Sequence, residues 1–254
     1  MKNVYFLSDA HLGSRAIKHR RTQERKLVRF LDEVKDKASA IYLMGDLFDF
    51  WYEYKYGVPK GFTRFLGKLS ELTDNGVEVH FFIGNHDVWA FDYLEEECGV
   101  KVHREPLTTE ISGKVFYLAH GDGLGDPDKK FQLLRKAFHS KFLQKCFAMI
   151  HPRWALDLGL GWAKHSRDKR VDGVEPDFLG EDKEHLVIYS KEYLKDHPEI
   201  NYFIYGHRHI MLDLMLSRTA RMAILGDWIS YFSYAVFDGE HFFLEQYVEG
   251  DTQL

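Results

Sequence analysis

Cysteine is nearly missing from this chain of 254 residues: Cys98 and Cys146 are its only two. They are too few and too widely separated for a disulfide framework, so a reducing, cytoplasmic setting is expected. No apolar run approaches the roughly 20 residues of a membrane-spanning helix. The N-terminal MKNVYFLSD enters a strand-like run at once and lacks the layout of a signal peptide. These absences point to a soluble protein, or one that at most rests on a membrane surface. Positive charge is not in excess either. Thirty-four Lys and Arg stand against 39 Asp and Glu, a formal net charge of −5, which argues against a nucleic-acid-binding surface. Internal repeats and low-complexity linkers are absent, so a single domain is expected.

The rest of the composition is that of an ordinary globular protein, 45% hydrophobic and 29% charged, with enough chain for a substantial core. Val4–Ser8, Ile41–Met44 and Val77–Ile83 read as short buried strands. Between them, Thr22–Asp36 and Phe62–Asn75 carry helical patterns, the second closed by Asn75–Gly76. This alternation predicts an α/β core with crossovers. From Lys114 onward the pattern reads as hairpin-like strands: Lys114–Leu118, Tyr202–Tyr205, Met211–Leu216, Met222–Leu225, Ser233–Phe237 and His241–Tyr247. The stretch from Lys129 to Arg170 interrupts them with two or three amphipathic helices. It holds eleven Lys and Arg against Asp157 and Asp168, so the remainder of the chain sums to −14. It also carries Phe131, Phe138, Phe142, Phe147, Trp154 and Trp162. A basic, apolar insertion over about 127–170 is therefore expected.

Seven potential metal ligands recur in five blocks, each at the end of an apolar run: Asp9 and His11 in SDAH, Asp46 in GDLFD, Asn85 in GNHD, His120 in AHGD, and His207 and His209 in GHRH. A D-x-H pair alone is weak, and an isolated histidine at a strand end is more often a satisfied core or surface residue. Five blocks of one design, strand then ligand with glycine beside it, are another matter. Carboxylate, amide and imidazole donors on successive loops suit two divalent cations sharing one carboxylate, here Asp46. Such a pair can clamp a phosphate and turn a bound water into a nucleophile. Asp49 reads as a helix cap or as a partner to a ligand. The remaining histidines, His80 and His103 among them, are expected mostly on the surface or on helices.

With these blocks in this order, from Asp9 to His209, the chain resembles the calcineurin-like metallophosphoesterases. The resemblance implies an α/β sandwich of two packed sheets flanked by helices, in four layers (αββα), with a dinuclear site at the strand ends. By the same resemblance, Asp9, His11, Asp46 and His209 hold one metal, and Asp46, Asn85, His120 and His207 the other. His86 contacts the phosphate and stabilises developing charge or protonates the leaving oxygen. Asp87 orients His86. A hydroxide bridging the metals attacks phosphorus in line. Mn²⁺ suits the mixed N/O donors best, with Fe, Zn or Co compatible.

GDLFDFW (45–51), HGDGLGDPD (120–128), LGDW (225–228) and the basic insertion resemble, within that family, the diphosphatases of UDP-2,3-diacylglucosamine in lipid A biosynthesis. That implies cleavage at the α-phosphorus to UMP and the acylated sugar 1-phosphate. It also implies an insertion that caps the site and holds the acyl chains, with Asp128, Ser166 and Arg167 as substrate contacts. An enzyme that draws a lipid from a bilayer gains from basic residues facing anionic headgroups, on the cytoplasmic face of the inner membrane. Those diphosphatases carry Arg after the metal-binding Asn, where this chain has His86. Two alternatives stand beside this reading. One is a metallophosphoesterase of another phosphodiester, phosphomonoester or soluble nucleotide; the other is a non-catalytic scaffold. The aromatic run from Phe48 to Tyr56 either packs the core or a dimer contact, or lines the ligand cleft.

Overall fold

A computed structural model describes residues 2–168 and 177–249, the side chains of 164–168 excepted. One sheet contains β1 (Asn3–Leu7), β2 (Ala38–Leu43), β3 (Glu78–Phe82), β4 (Lys101–His103), β10 (Ser233–Phe237) and β11 (Phe242–Gln246), in the order β11-β10-β1-β2-β3-β4. The other contains β5 (Leu107–Ile111), β6 (Lys114–Leu118), β7 (Ile200–Tyr205), β8 (Met211–Met215) and β9 (Arg221–Leu225), in the order β5-β6-β7-β9-β8. The helices are α1 (Arg20–Val34), α2 (Thr63–Asp74), α3 (Tyr93–Cys98), α4 (Lys129–His139), α5 (Lys141–Ala148), α6 (Pro152–Asp168) and α7 (His185–Asp196).

Side-chain alternation builds the layers. Tyr5, Leu7, Ile41, Leu43, Val79 and Phe81 turn to α1 and α2, whose Leu27, Phe30, Leu31, Val34, Phe65 and Leu69 cover them. Their neighbours Val4, Phe6, Tyr42 and Phe82 turn the other way and meet Phe116, Leu118, Ile204 and Leu225 of the second sheet. Tyr117, Phe203, Tyr205 and Ile224 face outward beneath Leu186 and Val187 of α7. The order of layers is therefore helix, sheet, sheet, helix, as expected.

One expectation fails here. The strands after Lys114 are not a run of hairpins: β7 pairs parallel to β6 and to β9, and only β8–β9 and β10–β11 are antiparallel neighbours in this half. The connection from β6 to β7 contains α4–α7, long enough for a parallel return, and α7 supplies the crossover that covers the outer face. The parallel arrangement aligns the carboxyl ends of β1, β2 and β3 along one sheet edge, and those of β6, β7 and β9 along another. His80 and His103 are strand residues, not surface or helical ones. Their rings stack with centroids 5.1 Å apart, with Nδ1 of His80 2.9 Å from Nε2 of His103.

α4, α5 and α6 lie against the loops following β2 and β3. Trp89 Nε1 donates to the Phe138 carbonyl at 2.8 Å and the Tyr52 hydroxyl donates to the Gln144 carbonyl at 2.9 Å. The aromatic run divides its duties: Phe48 and Trp51 are core, whereas Phe50 and Tyr52 face the insertion helices and Tyr56 is exposed. No described helix is long and apolar enough to cross a membrane.

Candidate metal centre and active site

Each block delivers its ligand within two or three residues of a strand end. Asp9 follows β1, Asp46 follows β2, Asn85 follows β3, His120 follows β6 and His207 follows β7. Main-chain bonds lock the loops together. His11 N–H donates to the Asp46 carbonyl at 2.9 Å, and Gly206 N–H to the His120 carbonyl at 2.9 Å. Asp9 Oδ2 accepts His207 N–H at 2.9 Å, which pins the ends of the two sheets to each other.

The backbone here is bent in a way side chains rarely tolerate. Asp9, His11, Asp46, His207 and His209 all have φ between 43° and 66°, and only three other described non-glycine residues have positive φ. Concentrated left-handed conformations of this kind are a mark of functional loops. The glycines beside the ligands serve two ends: Gly45 and Gly121 have φ of 96° and 113°, whereas Gly84 and Gly206 are sites of close approach. A Cβ on Gly84 would lie 2.2 Å from Asp46 Oδ1, and one on Gly206 would lie 2.0 Å from Ser8 Oγ. Neither glycine has positive φ; close approach is what excludes a side chain.

Two donor groups emerge, one of Asp9, His11 and His209 and one of Asp46, His120 and His207, with His11, Asp46 and His86 forming a link between them. The imidazoles are held from outside. His120 Nδ1–H donates to the Met44 carbonyl at 2.8 Å. His209 Nδ1 lies 3.2 Å from Asp227 Oδ2, and His11 Nδ1 lies 3.5 Å from Asp49 Oδ1. Their Nε2 atoms are thereby turned inward: His11 and His209 Nε2 approach to 3.2 Å, and His120 Nε2 lies 3.4 Å from Asp46 Oδ2. At His120 and His209 the outward Nδ1 bond fixes the tautomer that metal-binding histidines use; at His11 the Asp49 carboxylate is a close contact and not a hydrogen bond. Asp9 Oδ1, Asn85 Oδ1 and His120 Nε2 are buried without a hydrogen-bond partner. Unsatisfied buried acceptors are costly, and divalent cations satisfy such a donor set, so the residues fit the dinuclear centre. Asp49 is not a helix cap; its carboxylate backs His11.

Charge follows from the same packing. Burial works to raise the carboxyls of Asp9 and Asp46, yet the facing histidines outweigh it, His209 at Asp9 and His120 at Asp46, and both lie well below the usual range. Asp87 is pushed up to about 7, first by burial and then by the Asp46 charge. Its carboxylate accepts main-chain N–H groups of Gly84 at 2.6 Å and Leu47 at 2.8 Å. Asp87 therefore braces the two loops, and the ring of His86 is oriented by the Asp49 carbonyl, 2.8 Å from its Nδ1.

Asn85 and His86 form the polar end of a cavity of ≈ 270 Å³, with Asp122, Arg135 and His139. Its remaining walls are apolar: Phe50, Trp89, Phe131, Phe138, Phe147 and Trp162 among them. Arg135 Nε donates to Asp122 Oδ2 at 2.6 Å, tying α4 to the loop after His120. Asp128 caps α4, accepting from Lys130 and Phe131 N–H, and is exposed. Ser166 and Arg167 fall on α6 where side chains lie outside the described residues. Sequence reasoning passed over two residues. Asp227 stands after Gly226 at the end of β9, repeating the Gly45–Asp46 design, so the signal was present in LGDW. Arg135 carried none beyond its place in a basic helix.

The model of the family described as calcineurin-like phosphoesterase matches residues 2–211. A UDP-2,3-diacylglucosamine hydrolase of Porphyromonas gingivalis is 45% identical over 252 residues, covering 95% of this chain and 96% of that protein. The hydrolase of the same name from Edwardsiella ictaluri is 28% identical over 231 residues, covering 88% and 83%. That of Neisseria meningitidis is 35% identical over 155 residues, covering 61% and 62%.

Proposed function

The chain belongs to the calcineurin-like phosphoesterase family, and from that premise we propose that it hydrolyses the pyrophosphate of UDP-2,3-diacylglucosamine to UMP and 2,3-diacylglucosamine 1-phosphate. The observation that carries this reading is the cavity beside the metal centre, polar at Asn85 and His86 and apolar along the insertion helices. A diacyl sugar phosphate has that same division, with a charged head and greasy chains. The relatives named for this substrate, one of them 45% identical along nearly its whole length, support it further.

Asp9, His11, Asp46 and His209 would hold one divalent cation and Asp46, Asn85, His120 and His207 the other, Mn²⁺ being the best match to this mixture of carboxylate, amide and imidazole. When bound, two such cations neutralise charge on the non-bridging phosphate oxygens and lower the pKa of water held there. The chain's own part is positional. Asp49 and Asp227 hold His11 and His209 in register through Nδ1. His86 Nδ1–H donates to the Asp49 carbonyl, which leaves Nε2 free to face the phosphate; with a proton on Nε2 as well, the imidazolium would stabilise charge there or protonate the leaving oxygen. Water's oxygen bonds to the α-phosphorus as the bond to the bridging oxygen breaks, and the electron pair departs with the sugar 1-phosphate. Phe50, Trp89 and Phe138 keep the acyl chains out of water.

The insertion also offers a surface for the membrane that supplies such a substrate. Phe142 on α5, Met149 just after it and Trp154 on α6 are 73%, 80% and 65% exposed, beside Lys141, Lys145 and Arg153. Peripheral contact with an anionic cytoplasmic leaflet follows as part of the proposal. UMP release from UDP-2,3-diacylglucosamine, compared with cleavage of a generic aryl phosphodiester, tests the function. Cleavage of the aryl ester alone would leave a phosphoesterase of some other substrate.

A further inference from the structure

A second cleft of ≈ 950 Å³ lies on the opposite side of Phe50, and Phe50 is the only described residue that lines both chambers. Helix α6 divides them. Arg153, Leu156, Asp157 and Leu160 face this cleft, whereas Leu158, Gly159 and Trp162 face the apolar cavity, as a helix with two dissimilar faces should. Gly159 is what lets the partition close: a Cβ there would lie 2.4 Å from the Phe50 ring.

The two chambers differ in chemistry. Arg15, Lys18, Arg20, Arg21, Lys60 and Arg153 line the second, against Glu24 and Asp157, in a chain whose formal charge is −5. Asp157 is occupied by Arg15 at 2.5 Å. Lys18, Arg21, Lys60 and Arg153 have no ion pair among the described residues. The wall includes Leu12 and Gly13, directly after His11, so the cleft borders the loop that carries this ligand.

We propose that this cationic cleft takes the nucleotide half of the substrate, the uridine 5′-phosphate end; the proposal rests on the pyrophosphate reading above. A pyrophosphate diester held at the metals sends its two ends in different directions. The cavity at Asn85 and His86 is lined mainly by apolar side chains and suits acyl chains, whereas a ribosyl phosphate needs charge and hydrogen-bond donors. The cleft supplies both, and Phe50 and Phe62 add ring faces for a base. Its positive field also draws a nucleotide anion toward a protein that otherwise repels it.

Arg21→Glu and Lys60→Glu, made separately in the metal-loaded full chain, test the assignment. Each is expected to raise KM for UDP-2,3-diacylglucosamine and the UMP inhibition constant at least fivefold, while inhibition by 2,3-diacylglucosamine 1-phosphate stays within twofold. Lys195→Glu on α7, remote from the cleft, shifts none of these. Unchanged UMP inhibition overturns the proposal. If binding to phosphatidylethanolamine vesicles containing phosphatidylglycerol is lost at the same time, the cleft is a membrane contact instead. Arg21→Gln and Lys60→Gln give the same readings should the charge reversals melt early. If the unaltered protein leaves UDP-2,3-diacylglucosamine uncut, the substrate reading fails by itself. Calorimetric UMP binding, expected to weaken fivefold in the same variants, then decides the cleft, and unweakened binding overturns it.

Discussion

His86 Nδ1 lies 2.8 Å from the main-chain oxygen of Asp49. A carbonyl can only accept, so Nδ1 carries the proton, and Nε2 is the atom with chemistry left to do. The same residue, Asp49, stands with its carboxylate 3.5 Å from His11 Nδ1. One loop after β2 therefore positions two imidazoles, the one proposed to bind a metal and the one proposed to face the phosphate. His86→Ala is expected to lower kcat by about 10²- to 10³-fold, in the range of general acid–base groups. Metal content, measured by plasma mass spectrometry, should stay at two per chain. Loss of a metal in this variant would recast His86 as a ligand.

Asp227 is expected to matter to metal affinity without touching the phosphate. It accepts from His209 Nδ1 at 3.2 Å and from the N–H groups of Ser230 and Tyr231 at 2.7 and 3.1 Å. Asp227→Ala frees the ring and should weaken binding of one metal by about 10- to 100-fold. Competitive titration against a fluorescent chelator reads this directly. Unaltered affinity would remove Asp227 from the site's support.

Gly84→Ala tests whether close packing, and not backbone freedom, requires glycine at this position. The added methyl group would meet Asp46 Oδ1 at 2.2 Å and the Asp46 nitrogen at 2.5 Å. Either the Asp46 carboxylate or the loop must move, at a cost of about 1–3 kcal/mol. Urea unfolding should show that loss, and metal stoichiometry should fall below two. A variant as stable and as metal-loaded as the parent would contradict the packing argument.

His80 gives the fold an acid sensitivity of its own. Burial first, then the neighbouring charges of His103 and Lys101, lower its pKa to about 4. Below about pH 6.5 the unfolded chain takes up a proton that folded His80 refuses, so stability falls as pH drops from there toward 4. Allowing for solvent screening, the loss is on the order of 2 kcal/mol. His103, also lowered by burial, acts in the same direction. His80→Phe keeps a ring against Tyr42, whose centroid is 4.3 Å from that of His80, and should flatten the slope. Chelator-treated protein unfolded in urea at pH 7 and pH 5 decides it; an equal slope in both proteins would contradict the assignment.

Much of this centre was legible because its chemistry is local in sequence. Asp9 and His11, or His207 and His209, sit two apart at a strand end, and the periodicity that marks the strand also marks the loop after it. Asp227 obeyed the same pattern but offered only one donor, which a reader of motifs passes over. The resemblance implied that Asp87 orients His86, whereas its carboxylate turns back to the N–H groups of Gly84 and Leu47. The helix α7 was missed because its 12 residues lie between the helical insertion and the strand at Tyr202, and its apolar face is set by the outer surface of a distant sheet. The apolar chamber was implied by the resemblance, but the cationic one on the other face of α6 had no counterpart in sequence. Spacing marks an amphipathic helix, but only the fold shows that each face borders a different cavity.

The most direct measurement is hydrolysis of UDP-2,3-diacylglucosamine in ¹⁸O-labelled water, with and without divalent metal. Attack at the α-phosphorus places one label in UMP, in the metal-loaded protein only, and leaves the lipid 1-phosphate unlabelled. Label in the lipid 1-phosphate, or UMP formed equally after the metal is removed, would contradict a dinuclear centre acting on the nucleotide-side phosphorus.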